Sequence, residues 1–407
     1  MPEGETNISV VIPTYNALIY RFDILLAMLK SQKGFQEIEV IVVDSGSSDG
    51  TVQTARKYGA KVINIPHEDF SHSYSRNRGG ECTSHNYILF ITQDALPPTD
   101  SWLFELFSFM QKHKVAAVSC SETPREDADL YSRVHSYRYY KKYLGVVKKY
   151  KIWSKPKKES YSRMRKRASI SNIACLLKKE IFMEYHFRHD YAEDLDLGLR
   201  LIRDGKKIAL QNQFKIIHSH NRTAYYHLKR GYIDTISLSQ LFSEYQPRKV
   251  RKKQLCEDIA YTLTVLNFLA TEVLEKIPLP CSIESYFRIV EDKLHIHTPA
   301  YNPHSVFLRD HPYCDSEFQT FLKSILAQQS VGKEMGCDRK LLKSIQNAVS
   351  DYKEYMLNIY RNIDYTVSQD FNRSLFKEFA NQIGKRLASG YIRNPEKFKD
   401  LVNFIKD

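Results

Sequence analysis

Residues 87–98 read YILFITQDALPP, from Tyr87 to Pro98. Tyr87 to Ile91 form an unbroken apolar run, long enough for a strand buried on both faces, and Pro97 and Pro98 forbid further pairing. Asp94 therefore falls at the C-terminal edge of a strand. In open α/β sheets ligands bind at that edge, because the loops leaving it form a crevice, so Asp94 is placed like a ligand of a metal or phosphate site. A turn aspartate that only caps the following segment fits the same stretch.

The pattern of an apolar run closed by polar residues recurs upstream. Ile8 to Pro13 (ISVVIP) reads as a first buried strand, followed by Thr14, Tyr15 and Asn16. A helix to about Gln32 follows, with Ile24, Leu25, Met28 and Leu29 at helical spacing. Val40 to Val43 is a second strand, ending in Asp44 and the loop SGSSDGT, where Ser48 or Asp49 can cap a helix from Thr51 and Gly46 and Gly50 permit the turn. The loop has neither P-loop nor GxGxxG spacing, which argues against an ATP or NAD fold. Asp44 could accept the N3 hydrogen of a uracil or thymine ring; a capping aspartate in a βα turn is the other reading.

Lys61 to Ile65 makes a third strand, and from His67 the chain reads HEDFSHSYSRNRGG. A helix started by Ser71 or Ser73 puts His72 and Arg76 one turn apart, with Asn77 beside them and Gly79 and Gly80 allowing close approach. The planar fork of Arg76 suits a diphosphate, and a solvated helix face is the plain alternative. A helix from about Ser101 to His113 and a strand from Ala116 to Ser119 follow.

VVIPTYN, VVDSGSSDGT, the HxxxRNxG pattern at His72 to Gly79 and FITQDALP together resemble the nucleotide-sugar domain of inverting family 2 glycosyltransferases. The TQDA form, with SETPREDAD after the next strand, looks like the rhamnosyltransferase branch, whose donor is dTDP-rhamnose. The resemblance implies an α/β GT-A nucleotide-diphospho-sugar transferase fold with a mostly parallel central sheet. It places Pro13, Tyr15, Asp44, Arg76, Asn77 and Gln93 around the nucleotide sugar, and Asp94 on a divalent metal, Mn2+ or Mg2+. The usual metal motif of the family has two aspartates flanking one position; here Thr92 stands at the first.

Ala168 to Leu177 (ASISNIACLL) returns to a buried strand, and Lys178 to Glu184 to a short helix. In the segment HDYAEDLDLGLRLIRDGKKIAL, Leu195, Leu199 and Ile202 mark a helical face. Glu193 and Asp194 then lie in a first turn, where the macrodipole favours ionised carboxylates; an acidic turn that merely stabilises its helix has the same form. By resemblance to the family's ED motif, Asp194 is the catalytic base and Glu193 contacts acceptor or backbone. Lys207 to Leu210 and Phe214 to Ile217 are short strands leading to His218, Ser219 and His220. Two histidines at i and i+2 point to one side of an extended segment, which suits a divalent ion or two phosphates, although either could be a neutral, hydrogen-bonded histidine. The resemblance puts a histidine about two dozen residues past the base on the metal, and His218 aligns better than His220.

The chain has 407 residues, more than one core normally serves, so two domains are expected. We place them at 1–244, the GT-A catalytic domain, and 245–407, a helical C-terminal domain for acceptor recognition, oligomerisation or docking to a membrane or partner. The second domain is read from amphipathic patterns at Ile259 to Leu274, Ser316 to Gln328, Leu341 to Leu357 and Leu375 to Leu387, broken by Pro278, Pro280, Pro299 and Pro303. A net charge of +13 implies anionic partners. Residues 141–167 carry twelve Lys or Arg against Glu159 alone, interleaved with tyrosines. This run is either a solvated, mobile segment or a basic lip that draws a pyrophosphate-linked acceptor or an anionic membrane surface. No RNA- or DNA-binding signature accompanies it, so nucleic acid is not expected as a partner. Seven scattered cysteines, Cys82, Cys120, Cys175, Cys256, Cys281, Cys314 and Cys337, with no CxxC pair, suggest neither a disulfide framework nor a zinc site and fit a reducing cytoplasm. With no signal-like start and no 18-residue apolar run, the protein is expected to be soluble, at most peripheral on the inner face of a membrane.

The expected function is metal-dependent, inverting transfer of a sugar, rhamnose by the resemblance, from a nucleotide diphosphate to a saccharide or lipid-linked saccharide acceptor in surface polysaccharide biosynthesis. A UDP-sugar transferase of the same fold, and a non-catalytic nucleotide-sugar-binding or scaffold protein, are the rivals. Homo-oligomerisation is left open.

Overall fold

The computed structural model describes residues 7–296, 313–327 and 339–406, so Pro299, Pro303 and Cys337 lie outside the described residues. The described chain divides into two units, residues 1–126 with 139–219, and residues 127–138 with 220–407. This differs from the expected break after residue 244. The helix Ala224–Leu241 carries Gly231, where an added Cβ would stand 2.2 Å from the carbonyl oxygen of Asn381. Its neighbour, the helix Tyr365–Arg393, carries Gly384, where a Cβ would stand 2.1 Å from the carbonyl of Leu228. Two backbones that touch at glycines on both sides belong to one packed body, and they draw residues 220–244 into the helical unit.

The first unit is built on an eight-stranded mixed sheet. In chain order its strands are β1 (Asn7–Thr14), β2 (Glu37–Asp44), β3 (Lys61–Asn64), β4 (Tyr87–Ile91), β5 (Ala117–Thr123), β6 (Tyr150–Trp153), β7 (Ala174–Lys178) and β8 (Ile208–Ile217). They lie in the spatial order β3-β2-β1-β4-β7-β5-β8-β6. The pairs β2·β3, β1·β2, β1·β4 and β5·β8 are parallel, whereas β7 runs antiparallel between β4 and β5 and β6 runs antiparallel on β8. This geometry has a direct consequence for function. The C-terminal ends of β1, β2, β4, β5 and β8 share one rim, and antiparallel β7 starts from that same rim.

Alternation along β1 shows how the sheet is covered. Val10 and Ile12 belong to a core with Phe22, Leu25, Trp102 and Leu106 from the helices Phe22–Lys30 and Trp102–His113. Val11 points to the other face, where it would collide at 2.4 Å with a Cβ on Gly79. Gly79 thus lets the helix His72–Glu81 lie against the sheet, and Gly80 makes room for the Phe182 ring, the close approach that the GG pair suggests. Ser71 caps that helix, accepting from the Tyr74 N–H at 3.1 Å.

Three strand expectations change. The run read as a strand from Ala168 pairs only from Ala174, and Ser169 to Ile173 form a loop at the rim. The two candidates Lys207–Leu210 and Phe214–Ile217 are one irregular strand, β8. The basic run contains an edge strand, β6, and a short helix, Tyr161–Arg167.

The second unit is helical, as expected, with helices at Lys252–Phe268, Ile283–Ile296, Ser316–Leu326, Lys340–Ile359 and Pro395–Lys406 beside the two above. Its core includes Phe287, Phe318, Tyr352 and Phe371. Among the described residues no helix is long and apolar enough to cross a membrane.

Candidate active site

Each polar cluster of the sequence reading stands on the rim, because each follows a strand end or is tied to one. Thr14 and Asp44 close β1 and β2 in register, and the Thr14 hydroxyl donates to Asp44 Oδ1 at 2.9 Å. Asp44 is buried and also takes the N–H groups of Gly46 at 3.1 Å and Ser47 at 2.9 Å on Oδ2, while the Ser47 hydroxyl donates to Oδ1. A carboxylate has about four acceptor positions, so this one is fully engaged by its own loop and by Thr14. Asn16, in the left-handed region with φ 45°, accepts from the Ser48 N–H at 2.9 Å and latches the loops after β1 and β2 together.

Pro13 pairs with Val43 of β2, whereas the recorded pairing of β1 with β4 stops at Val11. Beyond that point the Gln93 side chain takes over. It accepts from the Tyr15 N–H at 2.8 Å and donates to the Tyr15 carbonyl at 3.2 Å. Tyr15 is 45% exposed, with its ring 4.8 Å from that of His67. Gln93 is therefore a brace for Tyr15, and Tyr15 is the open face.

Arg76 and Asn77 serve differently from expectation. Arg76 is buried; its Nη1 lies 3.3 Å from Glu193 Oε1 and donates to the His72 carbonyl at 3.1 Å, so its fork faces a carboxylate of this chain. The Asn77 amide donates to the Phe187 carbonyl and accepts from the Phe187 N–H, both at 2.9 Å, pinning the chain ahead of the acidic helix.

That helix, Glu193–Arg203, begins at the two carboxylates read from the sequence. Gly198 seats it, since a Cβ there would stand 2.0 Å from the Ala168 carbonyl oxygen. The loop before β7 meets the first turn. Asn172 donates from Nδ2 to Glu193 Oε1 at 3.0 Å and from its backbone N–H to Asp194 Oδ2 at 3.3 Å, and Leu195 N–H reaches Asp194 Oδ1 at 2.7 Å. Burial raises the pKa of Glu193, but Arg76 and Asn172 outweigh it and hold the group below the usual range. Asp194 goes the other way. Burial and then the neighbouring charge of Glu193 push it up to about 6, against the backbone N–H groups. Glu193 is thus held ionised by Arg76 and Asn172, whereas burial and the charge of Glu193 oppose ionisation of Asp194. Two buried atoms nearby, Arg76 Nε and Asn172 Oδ1, have no hydrogen-bond partner among the described residues.

The second cluster forms around His218. The backbone of Ile217 exchanges hydrogen bonds with Leu96 at 2.9 and 3.0 Å, and the His218 N–H donates to the Thr123 carbonyl at 3.0 Å. His218 Nε2 then lies 3.6 Å from Asp94 Oδ1, and Nδ1 lies 2.8 Å from Glu122 Oε2. Asp94, His218 and His220, two residues on along the same segment, offer ligand atoms within 4.8 Å of one another. With metal–ligand bonds of about 2.1 Å, two atoms 3.6 Å apart can share one ion, so an oxygen and an imidazole nitrogen fit a divalent cation. Burial disfavours the charge on His218, yet Asp94 and Glu122 push its pKa up to about 10. Glu122 sits inside the SETPREDAD stretch but carries no sequence signal of its own, because only the fold of β8 brings it to the histidine.

The profile of glycosyl transferase family 2 matches residues 9–184. An O-antigen chain rhamnosyltransferase from Salmonella typhimurium is 30% identical over 233 residues, covering 56% of this chain and 71% of the relative. The chain belongs to glycosyl transferase family 2. A second relative, an O-antigen chain rhamnosyltransferase from Salmonella anatum, is 28% identical over 232 residues, 56% of this chain and 70% of its own length. A solved mannosyltransferase from Pyrobaculum calidifontis, in complex with GDP-Man and Mn2+, is 14% identical with a TM-score of 0.48, covering 93% of this chain and 86% of that one. As a member of family 2 the protein is a glycosyltransferase, and the α/β GT-A architecture expected of the family agrees with the sheet described above. The matched region stops at residue 184, short of Glu193, Asp194 and His218.

Proposed function

We propose that this glycosyltransferase moves rhamnose from dTDP-rhamnose to a saccharide acceptor, with inversion, in the assembly of a surface polysaccharide. The observation that carries the mechanism is Asp194, a carboxylate on the sheet rim pushed up to about 6 beside two unmatched polar atoms, Arg76 Nε and Asn172 Oδ1. A general base works best when its pKa lies near the operating pH. Rhamnose as the sugar rests on the names of the two Salmonella relatives and on the TQDA resemblance.

In the proposed step the acceptor hydroxyl gives its proton to an Asp194 oxygen as its own oxygen bonds to the anomeric carbon. The bond from that carbon to the diphosphate breaks, and its electron pair leaves on the diphosphate. One base and a single displacement invert the centre. Arg76 and Asn172 hold Glu193 ionised, and Asn172 holds Asp194 in place. Tyr15 stacks on the base, and Asp44 reads its N3–H once the Ser47 hydroxyl turns away. Asp94 and His218 would hold a divalent cation, Mn2+ or Mg2+, which supplies positive charge for the leaving diphosphate. His220 is the further ligand on offer.

We also read the N-terminal unit as catalytic and the helical unit as a device for acceptor recognition. The basic segment, with Lys148, Lys149, Lys157 and Lys158 exposed, would draw an acceptor linked to pyrophosphate at the cytoplasmic face of a membrane.

The deciding experiment is a thermal-shift screen of dTDP-rhamnose, UDP-sugars and GDP-mannose with and without Mn2+. Stabilisation by dTDP-rhamnose, larger with Mn2+, is expected from mass action. Preference for a UDP-sugar would overturn the donor, and no difference with Mn2+ would overturn the metal.

The pH dependence follows from Asp194. Only its ionised form accepts a proton, so kcat/KM should fall as pH drops through about 6. Glu193→Gln removes the neighbouring negative charge and should move that limb to lower pH. A limb unmoved in this variant would show that another group sets it.

A further inference from the structure

We propose that Glu122 is a positioning residue for the metal pair, fixing the ring of His218 so that Nε2 faces Asp94, and that Tyr140 in turn fixes Glu122. This deepens, and rests on, the reading of Asp94 and His218 as metal ligands.

The geometry starts with an irregularity. Cys120 of β5 pairs with Gln211 of β8, but Glu122 pairs with Ile216 and Thr123 with Ile217. β8 therefore carries extra residues between the two registers, and the excess brings His218 beside the end of β5. There Glu122 Oε2 meets His218 Nδ1 at 2.8 Å, and Tyr140, itself buried, donates its hydroxyl to Glu122 Oε1 at 2.6 Å. The side chains of His218 and Asp94 are 9% and 8% exposed, while that of Glu122 is 20% exposed.

The two ring nitrogens lie on opposite edges of an imidazole, so a carboxylate on Nδ1 cannot share an ion held at Nε2. What it can do is take the Nδ1–H, select the tautomer with a bare Nε2 and raise the basicity of that nitrogen. Carboxylates behind metal-binding histidines act in this way, and removing them typically weakens metal affinity 10- to 100-fold. Tyr140 removes the remaining freedom of the carboxylate. It lies in the stretch Arg138–Tyr143, itself just ahead of the first lysine of the basic run, Lys141.

The test is a titration of the 407-residue chain with Mn2+, read by calorimetry or by the EPR signal of free Mn2+, with unfolding midpoints measured in parallel. Wild type is expected to bind saturably and His218→Ala to lose binding. Glu122→Ala should bind roughly 10- to 100-fold more weakly at an unchanged midpoint. Glu122→Gln, which can still accept the Nδ1–H, should fall between, and Tyr140→Phe should weaken binding less than Glu122→Ala. Should Glu122→Ala not fold, Glu122→Gln and Tyr140→Phe carry the comparison. Wild-type affinity in the Glu122 variants overturns the proposal while leaving the metal site standing. Absence of Mn2+ binding in wild type, or its persistence in His218→Ala, removes the metal reading itself and this inference with it.

Discussion

Asp194→Asn is expected to lower turnover roughly 100- to 10,000-fold, the usual worth of general-base catalysis, with donor binding nearly unchanged. The amide keeps the shape of the carboxylate and one acceptor for Asn172 or Leu195, but it cannot take the acceptor's proton. Stability should move the opposite way. A carboxyl whose pKa is raised by folding costs stability once it ionises, a cost absent below the ordinary aspartate value and complete above about 6. At pH 7 the variant should therefore melt at the same temperature as wild type or higher. Reduced activity with retained or raised stability marks a functional residue. Steady-state rates with dTDP-rhamnose and acceptor, beside thermal melts, decide the matter, and full turnover in the variant would remove Asp194 from the mechanism.

The second large effect lies in the helical unit. Arg138 Nη1 lies 2.8 Å from Glu378 Oε2 and Nε lies 2.9 Å from Asp351 Oδ2, with the guanidinium 5.4 Å from the centre of the Tyr352 ring. Burial raises the pKa of Glu378, but Arg138 overrides it and holds the group down to about 2. Arg138→Met would strip the buried Glu378 carboxylate of its main countercharge, with Lys385 the further cation acting on it, and losses of this kind run to about 3–5 kcal/mol. The expected result is an earlier urea transition in the helical far-UV signal. Adding Glu378→Gln should restore part of the loss, because the buried charge then disappears with its partner. A single variant as stable as wild type would mean that water reaches Glu378 freely.

Much of the first unit was legible in the sequence because buried parallel strands announce themselves. ISVVIP, VIVV and YILFI are unbroken apolar runs with polar residues at one end, and in a parallel sheet those ends must share a rim. The acidic helix was legible for a similar reason, since Leu195, Leu199 and Ile202 fix its face and so its first turn. What sequence cannot show is which partner a polar side chain chooses once folded. Arg76 suits a diphosphate by its chemistry, but burial beside Glu193 decides its partner. The family resemblance places Asn77 and Gln93 around the nucleotide sugar, and each is hydrogen-bonded to a stretch of main chain. Glu122 was missed for the converse reason: its importance depends on extra residues in β8, a register effect that leaves no mark in composition. In the sequence the boundary falls at residue 244 because the amphipathic patterns begin only beyond it, while in the fold the glycines at 231 and 384, where two helices touch, group residues 220–244 with the helical unit.

The seat of the acidic helix at Gly198 has an implication for anyone wishing to alter this enzyme. Because a hydrogen atom is all that separates that residue from the Ala168 carbonyl, the aim of Asp194 has no adjustable spacer behind it. A library that randomised position 198 would return almost nothing but the parent residue.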